Sequence, residues 1–233
     1  MLERIVCLVI GYAFGLIQTG FIYGKMHGID IREHGSGNSG ATNTLRTLGT
    51  KAGFIVLFGD AIKCILAIVL TYFLFGRNNP EYLFLYRMYT AFGVILGHDF
   101  PFYLQFKGGK GIAATAGVIV CYGPVYFLIH ILVFAVIFLT THYVSLGSIL
   151  IYITFFVMIL VCGQSGYFDA RAGVDIPQSA LIEMYVLVFI MTVIAIWRHR
   201  ANIKRLLGHN ESKVYLSKRG KEKSGKKDHD DLV

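Results

Sequence analysis

The chain has 233 residues, of which 55% are hydrophobic and 15% are charged, and its formal net charge is +8. Soluble globular domains carry about 25% charged residues, so this composition excludes an ordinary soluble domain and favours one polytopic membrane domain. Much of the positive charge lies after Arg198 and the rest flanks apolar runs, as the positive-inside rule describes for cytoplasmic segments of membrane proteins. We therefore expect no nucleic-acid partner.

The first apolar run covers about residues 2–25 and is long enough to cross a membrane. It exceeds the ~7–15 apolar residues of a signal peptide, but a Gly-Tyr-Ala-Phe-Gly run faintly resembles a cleavage region, so a cleaved signal is the alternative. Glycines recur along the run at four- and five-residue spacing, at Gly11, Gly15, Gly20 and Gly24. Such spacing lets a neighbouring helix approach closely.

The second apolar run, about residues 52–75, carries Asp60 and Lys63 on one helical face. Ionisable groups at this depth are costly, so we expect them to face protein and to pair. We interpret them as an internal ion pair that fixes the helix near the polar segment preceding it. Direct participation in catalysis is the alternative.

A third span covers about residues 82–96. The next apolar run, residues 112–142, would be ~45 Å long as one helix, well beyond the ~30 Å hydrocarbon core of a bilayer. Gly123-Pro124 predicts a break, because proline lacks an amide donor and clashes with the preceding turn. The remaining predicted spans are residues 112–122, 125–142, 143–162 and 180–197.

Three polar islands interrupt these runs. The first island is Ser36-Gly37-Asn38-Ser39-Gly40-Ala41-Thr42-Asn43 with Arg46 beyond it, the second is Lys107-Gly108-Gly109-Lys110-Gly111, and the third is residues 198–205. If they form one site, an even number of membrane crossings must separate each pair, which requires the break at Gly123-Pro124. The sequence therefore predicts an all-α polytopic membrane protein with seven transmembrane helices, an outside N-terminus, and cytoplasmic islands and C-terminus.

Glycine and lysine in the first two islands suggest phosphate binding. Successive backbone amides in a glycine-rich turn form an anion-binding concavity, and Arg46 could bind phosphate oxygens with two parallel hydrogen bonds. The second island precedes a predicted helix whose N-terminal amides would favour an anion. It is not a Walker A loop, since Lys110 is followed by Gly111 and Ile112. A plain surface loop followed by a helix cap is the alternative for the first island.

The third island continues the last span. His199, Asn202 and Arg205 are three residues apart, so a continuous helix would present them on one face, toward the other islands. The alternative is a charge cluster that only stops membrane insertion.

Together these residues resemble a family, the bacterial acyl-phosphate glycerol-3-phosphate acyltransferases. The resemblance runs from the N-terminus to about Glu211 and rests on three motifs in order. They are Ser36-Gly37-Asn38-x-Gly40-Ala41-x-Asn43-x-x-Arg46, then Gly97-His98-x-Phe100-Pro101 through Lys107-Gly108-Gly109-Lys110-Gly111 to Ala114-Thr115, then His199-x-x-Asn202-Ile203-x-Arg205. Two sites depart from the family pattern. The family often has an apolar residue or proline where this chain has Ser39, and it often has an apolar-proline pair where this chain has Gln18-Thr19.

The resemblance implies an enzyme of the bacterial cytoplasmic membrane that moves a fatty acyl group from acyl phosphate to the 1-hydroxyl of glycerol 3-phosphate. It implies catalytic roles for Ser36, Arg46, Lys110, His199 and Asn202. It implies substrate contacts for Asn38, Gly40, Thr42, Asn43, His98, Lys107, Gly108, Gly109, Gly111, Thr115 and Arg205. We expect direct attack by the hydroxyl, with Ser36 as a donor, while His199 or a substrate phosphate takes the proton.

We expect no metal, no cofactor and a monomer in contact with membrane lipid. The predicted enzyme domain is residues 1–211, and residues 212–233 form a basic tail with little to bury. A small carrier for an organophosphate is the competing hypothesis. It would need charged groups leading to the outer face and an inverted repeat, and the sequence has no convincing repeat.

Overall fold

The structure is a computed structural model that describes residues 1–215. Within this range the chain forms α-helices joined by short turns and no strand. The helices are α1 Leu2–Gly15, α2 Thr19–Met26, α3 Ala41–Leu48, α4 Thr50–Thr71, α5 Leu83–Asp99, α6 Ile112–Tyr122, α7 Pro124–Thr141, α8 Val144–Gln164, α9 Tyr167–Ala172, α10 Gln178–Arg198 and α11 Arg200–Leu207. The predicted all-α class is confirmed. Most of the predicted tail, residues 216–233, lies outside the described residues.

Among residues 1–215, five helical segments are long and apolar enough to cross a membrane. They are Leu2–Met26, Thr50–Gly76, Pro124–Thr141, Val144–Gln164 and Gln178–Arg198. The predicted seven spans would also include α5, with 17 residues, and α6, with 11. At 1.5 Å per residue α6 is roughly 17 Å long, about half of a hydrocarbon core. The number seven therefore stays a prediction.

The predicted break at Gly123-Pro124 is present. Helix α6 ends at Tyr122, Gly123 has a φ of 114°, and Pro124 is the first residue of α7. A positive φ is accessible to glycine without steric cost. Proline is favoured at the first helical position, where its missing N–H has no intrahelical partner to lose.

The first predicted span is present as the segment Leu2–Met26, and it contains a break that the sequence did not predict. Helix α1 ends at Gly15 and α2 begins at Thr19. Side chains satisfy the carbonyls freed at the break: Lys63 Nζ donates to Ile17 O at 2.6 Å, and Tyr103 Oη donates to Leu16 O at 2.7 Å. Irregular backbone at membrane depth is tolerated where protein groups supply the missing hydrogen bonds.

Glycines bring α1 and α5 into backbone contact. A Cβ at Gly11 would lie 2.2 Å from the carbonyl oxygen of Thr90, and one at Gly15 would lie 2.4 Å from that of Val94. Any larger side chain would separate the helices. This contact fixes the C-terminal end of α5, which leads directly into the second island.

The predicted ion pair in the second span is confirmed. Lys63 Nζ lies 2.9 Å from Asp60 Oδ1, and both side chains are buried. Thr19 Oγ1 also donates to Asp60 Oδ1, and Lys63 Nζ lies 2.9 Å from His98 Nδ1. The pair therefore joins α4 to the start of α2 and the end of α5.

Candidate active site

The first island forms a loop that the side chain of Asn43 organises. Asn43 Oδ1 accepts hydrogen bonds from the amide of Ser36 at 2.7 Å and from its hydroxyl at 3.1 Å. Asn43 Nδ2 donates to the carbonyls of Ile31 and His34 at 3.0 and 2.9 Å. Asn43 is buried and its polar atoms are all occupied by protein, while Ser36 is exposed. The asparagine thus shapes the loop that presents Ser36.

The second island is a turn packed on the end of α5. The amides of Gly108 and Gly109 donate to the carbonyls of Asp99 and His98, at 3.2 and 3.0 Å. A Cβ at Gly109 would lie 1.9 Å from Nε2 of His98, so only glycine fits there. These two amides are already paired within the protein, which differs from the expectation that the glycine amides would bind an anion.

Two further contacts hold the glycine turn against its neighbours. Arg198 donates through Nη2 to the carbonyls of both Gly108 and Gly109, the first at 2.9 Å. Asn38 Nδ2 donates to the same Gly108 carbonyl at 3.3 Å. All three islands therefore meet at this turn, and its geometry positions the next residue, Lys110.

The third island is kinked. Helix α10 ends at Arg198 and α11 begins at Arg200, so the continuous helix expected through residues 198–205 is wrong at His199. His199 Nδ1 lies 2.8 Å from the carbonyl oxygen of Ala195. A carbonyl can only accept, so Nδ1 carries the proton and Nε2 is left as an acceptor.

Lys110 connects the second and third islands. Its Nζ donates to Asn202 Oδ1, and Asn202 Nδ2 donates to Glu211 Oε1 at 2.7 Å. Glu211 also accepts from Ser145 Oγ at 2.9 Å and from Arg205 Nε at 2.6 Å. Asn202 and Glu211 are buried. The amide of Asn202 is thereby fixed with its oxygen toward the lysine.

Burial and nearby cations change the acid–base properties of this region. Burial, assisted by Arg205, lowers the pKa of Lys110 to about 8. Burial also lowers the pKa of His199 to about 4, so this imidazole is neutral near neutral pH. For Glu211 burial alone would raise the pKa, but hydrogen bonds from Asn202, Arg205 and Ser145 lower it below its usual value. Glu211 is therefore an anion beside the lysine.

A cavity of about 310 Å³ lies where the islands meet. The predicted site residues that line it are Ser36, Asn38, Gly40, Thr42, Asn43, Arg46, His98, Lys110, His199 and Asn202. Arg46 lies at its exposed rim, where Nη2 donates to Ser212 O at 3.1 Å. The five residues predicted to be catalytic are all in this group.

Six predicted substrate-binding residues are not among the lining residues of the cavity: Lys107, Gly108, Gly109, Gly111, Thr115 and Arg205. Lys107 is exposed. Thr115 is fully buried, and its hydroxyl donates to Gly111 O at 2.9 Å and Tyr152 Oη at 2.8 Å. Gly108 and Gly109 form the turn itself, and Arg205 contacts the third island's partner Glu211.

Sequence reasoning missed several polar residues of the site. Ser145, Ser148 and Glu211 line the cavity, and Arg198 holds the glycine turn. The serines share one helical face in an otherwise apolar run, and that periodicity could have identified them. Glu211 lies beyond the third motif, and its contact with Asn202 depends on the turn after α11, which no local pattern predicts.

Part of the cavity lining is apolar. Its members are Leu45, Phe54, Leu57, Ile112, Ala113, Phe134, Phe138, Val144 and Val214. Phe54 in α4 is 44% exposed, so the apolar lining continues to the surface of a helix of membrane-spanning length. The cavity thus combines charged and polar side chains with an apolar surface.

A family model described as "Glycerol-3-phosphate acyltransferase" matches residues 5–209. The chain belongs to this family. It is 36% identical over 222 residues to Glycerol-3-phosphate acyltransferase 2 of Bacillus cereus strain ZK / E33L, covering 95% of this chain and 100% of that protein. It is 37% identical over 208 residues to Glycerol-3-phosphate acyltransferase of Bacillus subtilis strain 168, covering 89% of this chain and 95% of that one.

Two solved structures have a similar fold. Both are of PlsY, described as an integral membrane glycerol 3-phosphate acyltransferase, in its glycerol 3-phosphate form and its lysophosphatidic acid form. Their TM-scores are 0.75 and 0.72, and both are 32% identical to this chain, covering 91% of it and 96% of their own chains. With five apolar segments of membrane-spanning length among residues 1–215, this chain is an integral membrane protein.

Proposed function

We propose that this chain transfers a fatty acyl group from acyl phosphate to the 1-hydroxyl of glycerol 3-phosphate, giving lysophosphatidate and phosphate. The observation that carries the proposal is the mixed lining of the cavity. It includes the polar side chains of Arg46, Lys110 and Asn202 and the rings of Phe54, Phe134 and Phe138. Both substrates carry phosphate, and only the donor carries a long apolar chain, so a cavity with both kinds of lining suits the two substrates.

Acyl phosphate is a mixed anhydride with a good leaving group, so the protein mainly needs to position the reactants and stabilise developing charge. The 1-hydroxyl oxygen attacks the acyl carbonyl carbon and forms the ester C–O bond. The anhydride C–O bond then breaks and inorganic phosphate leaves. Arg46 and Lys110 hold the phosphate of glycerol 3-phosphate, and Asn202 orients the lysine.

The attack is direct in this proposal, and no acyl-serine forms. The hydroxyl of Ser36 donates to the amide oxygen of Asn43, and an amide oxygen is too weakly basic to remove a proton. A nucleophilic serine requires an adjacent general base. Ser36 instead donates to the oxygen atoms of the acyl phosphate.

The proton of the attacking hydroxyl passes to a phosphate oxygen of the donor. Before the attack the hydroxyl donates its hydrogen bond to Nε2 of His199, which orients it, and the same proton shifts to the phosphate oxygen as the ester C–O bond forms. Its lowered pKa of about 4 makes it a weak base near neutral pH, which favours the phosphate as the final acceptor.

We propose further that the enzyme crosses the bacterial cytoplasmic membrane seven times as a monomer, with α5 and α6 as the two short spans. The site and the C-terminus then face the cytoplasm, where glycerol 3-phosphate is present. Reporter fusions after Gly123 and Gly163 should report the outer side. A cytoplasmic signal at either position would contradict this orientation.

The deciding experiment is an assay of purified protein in lipid with acyl phosphate and glycerol 3-phosphate. Lysophosphatidate and phosphate should appear in equal amounts, with or without a metal chelator. Acyl-CoA and acyl-carrier protein should not replace acyl phosphate. If acyl-CoA supports turnover while acyl phosphate is inert, the proposed donor is wrong.

A further inference from the structure

A partly buried arginine lies at the end of the bundle opposite the candidate active site. Arg87 is near the start of α5, whereas the end of α5 leads into the glycine turn beside the cavity. Its Nη1 donates to the carbonyl of Cys121 at 2.9 Å, and its guanidinium lies 5.0 Å from the ring centroid of Phe84. Its Nε is buried and has no hydrogen-bond partner among residues 1–215.

No carboxylate neutralises this arginine within residues 1–215. The ion pairs found there involve Asp30, Asp60, Asp99, Glu3, Glu183 and Glu211, each with another partner. An ionisable side chain inside a membrane bundle normally faces a counter-charge or a polar cavity, because an unpaired charge is costly at low dielectric. One carbonyl and one aromatic ring leave the positive charge only partly compensated.

A second arginine lies close by. A Cβ at Gly123 would be 2.8 Å from Nη1 of Arg171, and Gly123 follows the α6 terminus whose Cys121 carbonyl binds Arg87. Arg171 forms no ion pair within the described residues. Its Cζ lies 5.8 Å from the ring centroid of Tyr167. Two guanidinium groups therefore lie near one helix end without a carboxylate partner in residues 1–215.

Beside Arg87 there is a cleft of about 360 Å³ between α4, α5 and α6. Its lining is Arg87, Ile68, Val69, Tyr72, Leu83 and Cys121. Val69 is 41% exposed on a helix of membrane-spanning length, so the cleft opens on the lipid-facing surface. Tyr72, the first residue of the π-helical turn Tyr72–Gly76 that follows α4, contributes to the lining.

We propose that this cleft binds the phosphodiester group of a membrane phospholipid, with the phosphate on Arg87 and the acyl chains on the apolar wall. Guanidinium groups suit phosphate because their planar donors form charge-assisted hydrogen bonds with two oxygens. The apolar, lipid-facing mouth favours an anion that is part of a lipid over a free one. The site is separate from the cavity of the proposed reaction and does not depend on that reaction.

The test compares lipid binding to the full-length protein and its variants in detergent. Phosphatidylglycerol is titrated while the thermal midpoint is followed, and bound lipids are counted by native mass spectrometry. Diacylglycerol with the same chains lacks the phosphate, and inorganic phosphate lacks the chains. Glycerol 3-phosphate is present at saturation throughout, so that lipid binding in the catalytic cavity does not contribute.

We expect Arg87→Gln to weaken phosphatidylglycerol binding about tenfold and Arg87→Lys to weaken it less, because one charge-assisted interaction is lost in the first variant. Arg77→Gln is the matched control, since Arg77 is an exposed arginine at the same end of the bundle. Unchanged binding in Arg87→Gln, or an equal loss in Arg77→Gln, would overturn the proposal. Equal stabilisation by diacylglycerol or by inorganic phosphate would overturn the phospholipid assignment.

If Arg87→Gln does not fold, Arg87→Lys supplies the same test by mass spectrometry. Fewer bound phosphatidylglycerol molecules than in the wild type support the site, and an unchanged number rules it out. Acyltransferase activity is measured in parallel. Because the cleft lies away from the cavity, a failure to find lipid binding would not contradict the proposed reaction.

Discussion

The hydroxyl of Ser39 donates a hydrogen bond to Oε1 of Gln18 at 3.2 Å, and both residues are 1% exposed. Gln18 Nε2 donates in turn to the carbonyls of Gly15 and His98, at 3.2 and 2.9 Å. One side chain thus joins the break between α1 and α2, the end of α5 and the loop that carries Ser36.

This pair predicts non-additive stability effects. Ser39→Ala leaves Oε1 of Gln18 buried without a donor, which costs about 1–3 kcal/mol. Gln18→Leu leaves the Ser39 hydroxyl and two carbonyls with fewer partners and should cost a similar amount. The double variant should lose less than the sum, because neither unpaired partner remains. Thermal unfolding in detergent gives the loss of stability of each single variant and of the double variant. If the loss in the double variant equals the sum of the two single losses, the hydrogen bond contributes nothing.

Arg46 is expected to bind substrate phosphate from the cavity rim. Arg46→Ala should lower kcat/KM for glycerol 3-phosphate by about 10²–10³, and Arg46→Lys should recover only part, since an ammonium cannot form the bidentate contact. Lys107→Ala is the control, because Lys107 is exposed and does not line the cavity. Steady-state kinetics at fixed acyl phosphate give the comparison. A loss with Lys107→Ala as large as with Arg46→Ala would contradict this assignment.

The titration of Lys110 should lower activity at high pH. Its pKa is lowered to about 8, chiefly by burial, so the charged form that attracts phosphate is lost as the pH rises through about 8. The value of kcat/KM for glycerol 3-phosphate, which reports on the free enzyme, should therefore decline above that pH. Lys110→Arg keeps its charge across this range. An identical decline in that variant would assign the titration to another group.

Ser36 should act as a donor. Ser36→Ala should reduce kcat by about 10²–10³, comparable to the loss of one oxyanion donor, and retain measurable turnover. Ser148→Ala is the matched control, because Ser148 also lines the cavity but its hydroxyl donates to Val144 O at 2.7 Å in its own helix. Rapid quenching with radiolabelled acyl phosphate should trap no acyl-protein. A label that depends on Ser36 would establish a covalent route instead.

Arg198 should position Lys110 through the glycine turn. Arg198→Lys replaces the planar guanidinium with a shorter ammonium side chain that reaches the two glycine carbonyls less well, so kcat/KM for glycerol 3-phosphate should fall about tenfold with little change in stability. Arg198→Gln also removes a positive charge that lowers the pKa of Lys110, so the decline near pH 8 should move to higher pH. Arg200→Gln is the control, since Arg200 is exposed and lies over the ring of Trp197. If kcat/KM still declines near pH 8 in Arg198→Gln, Arg198 does not have this role.

The sequence alone determined the helical class, the break at Gly123-Pro124 and the ion pair between Asp60 and Lys63. These depend on local chemistry: the length of apolar runs, the geometry of glycine and proline, and the cost of an unpaired charge at membrane depth. The family could likewise be predicted from the sequence, because its motifs are short and continuous in the chain.

Only the tertiary structure decided how the islands fit together. The break at residues 16–18 depends on Lys63 and Tyr103, which satisfy its carbonyls from other parts of the chain. Two amides of the glycine turn bind carbonyls of α5, and Glu211 fixes Asn202. Such partners are distant in sequence, and no local pattern encodes which buried polar groups will meet when the helices pack.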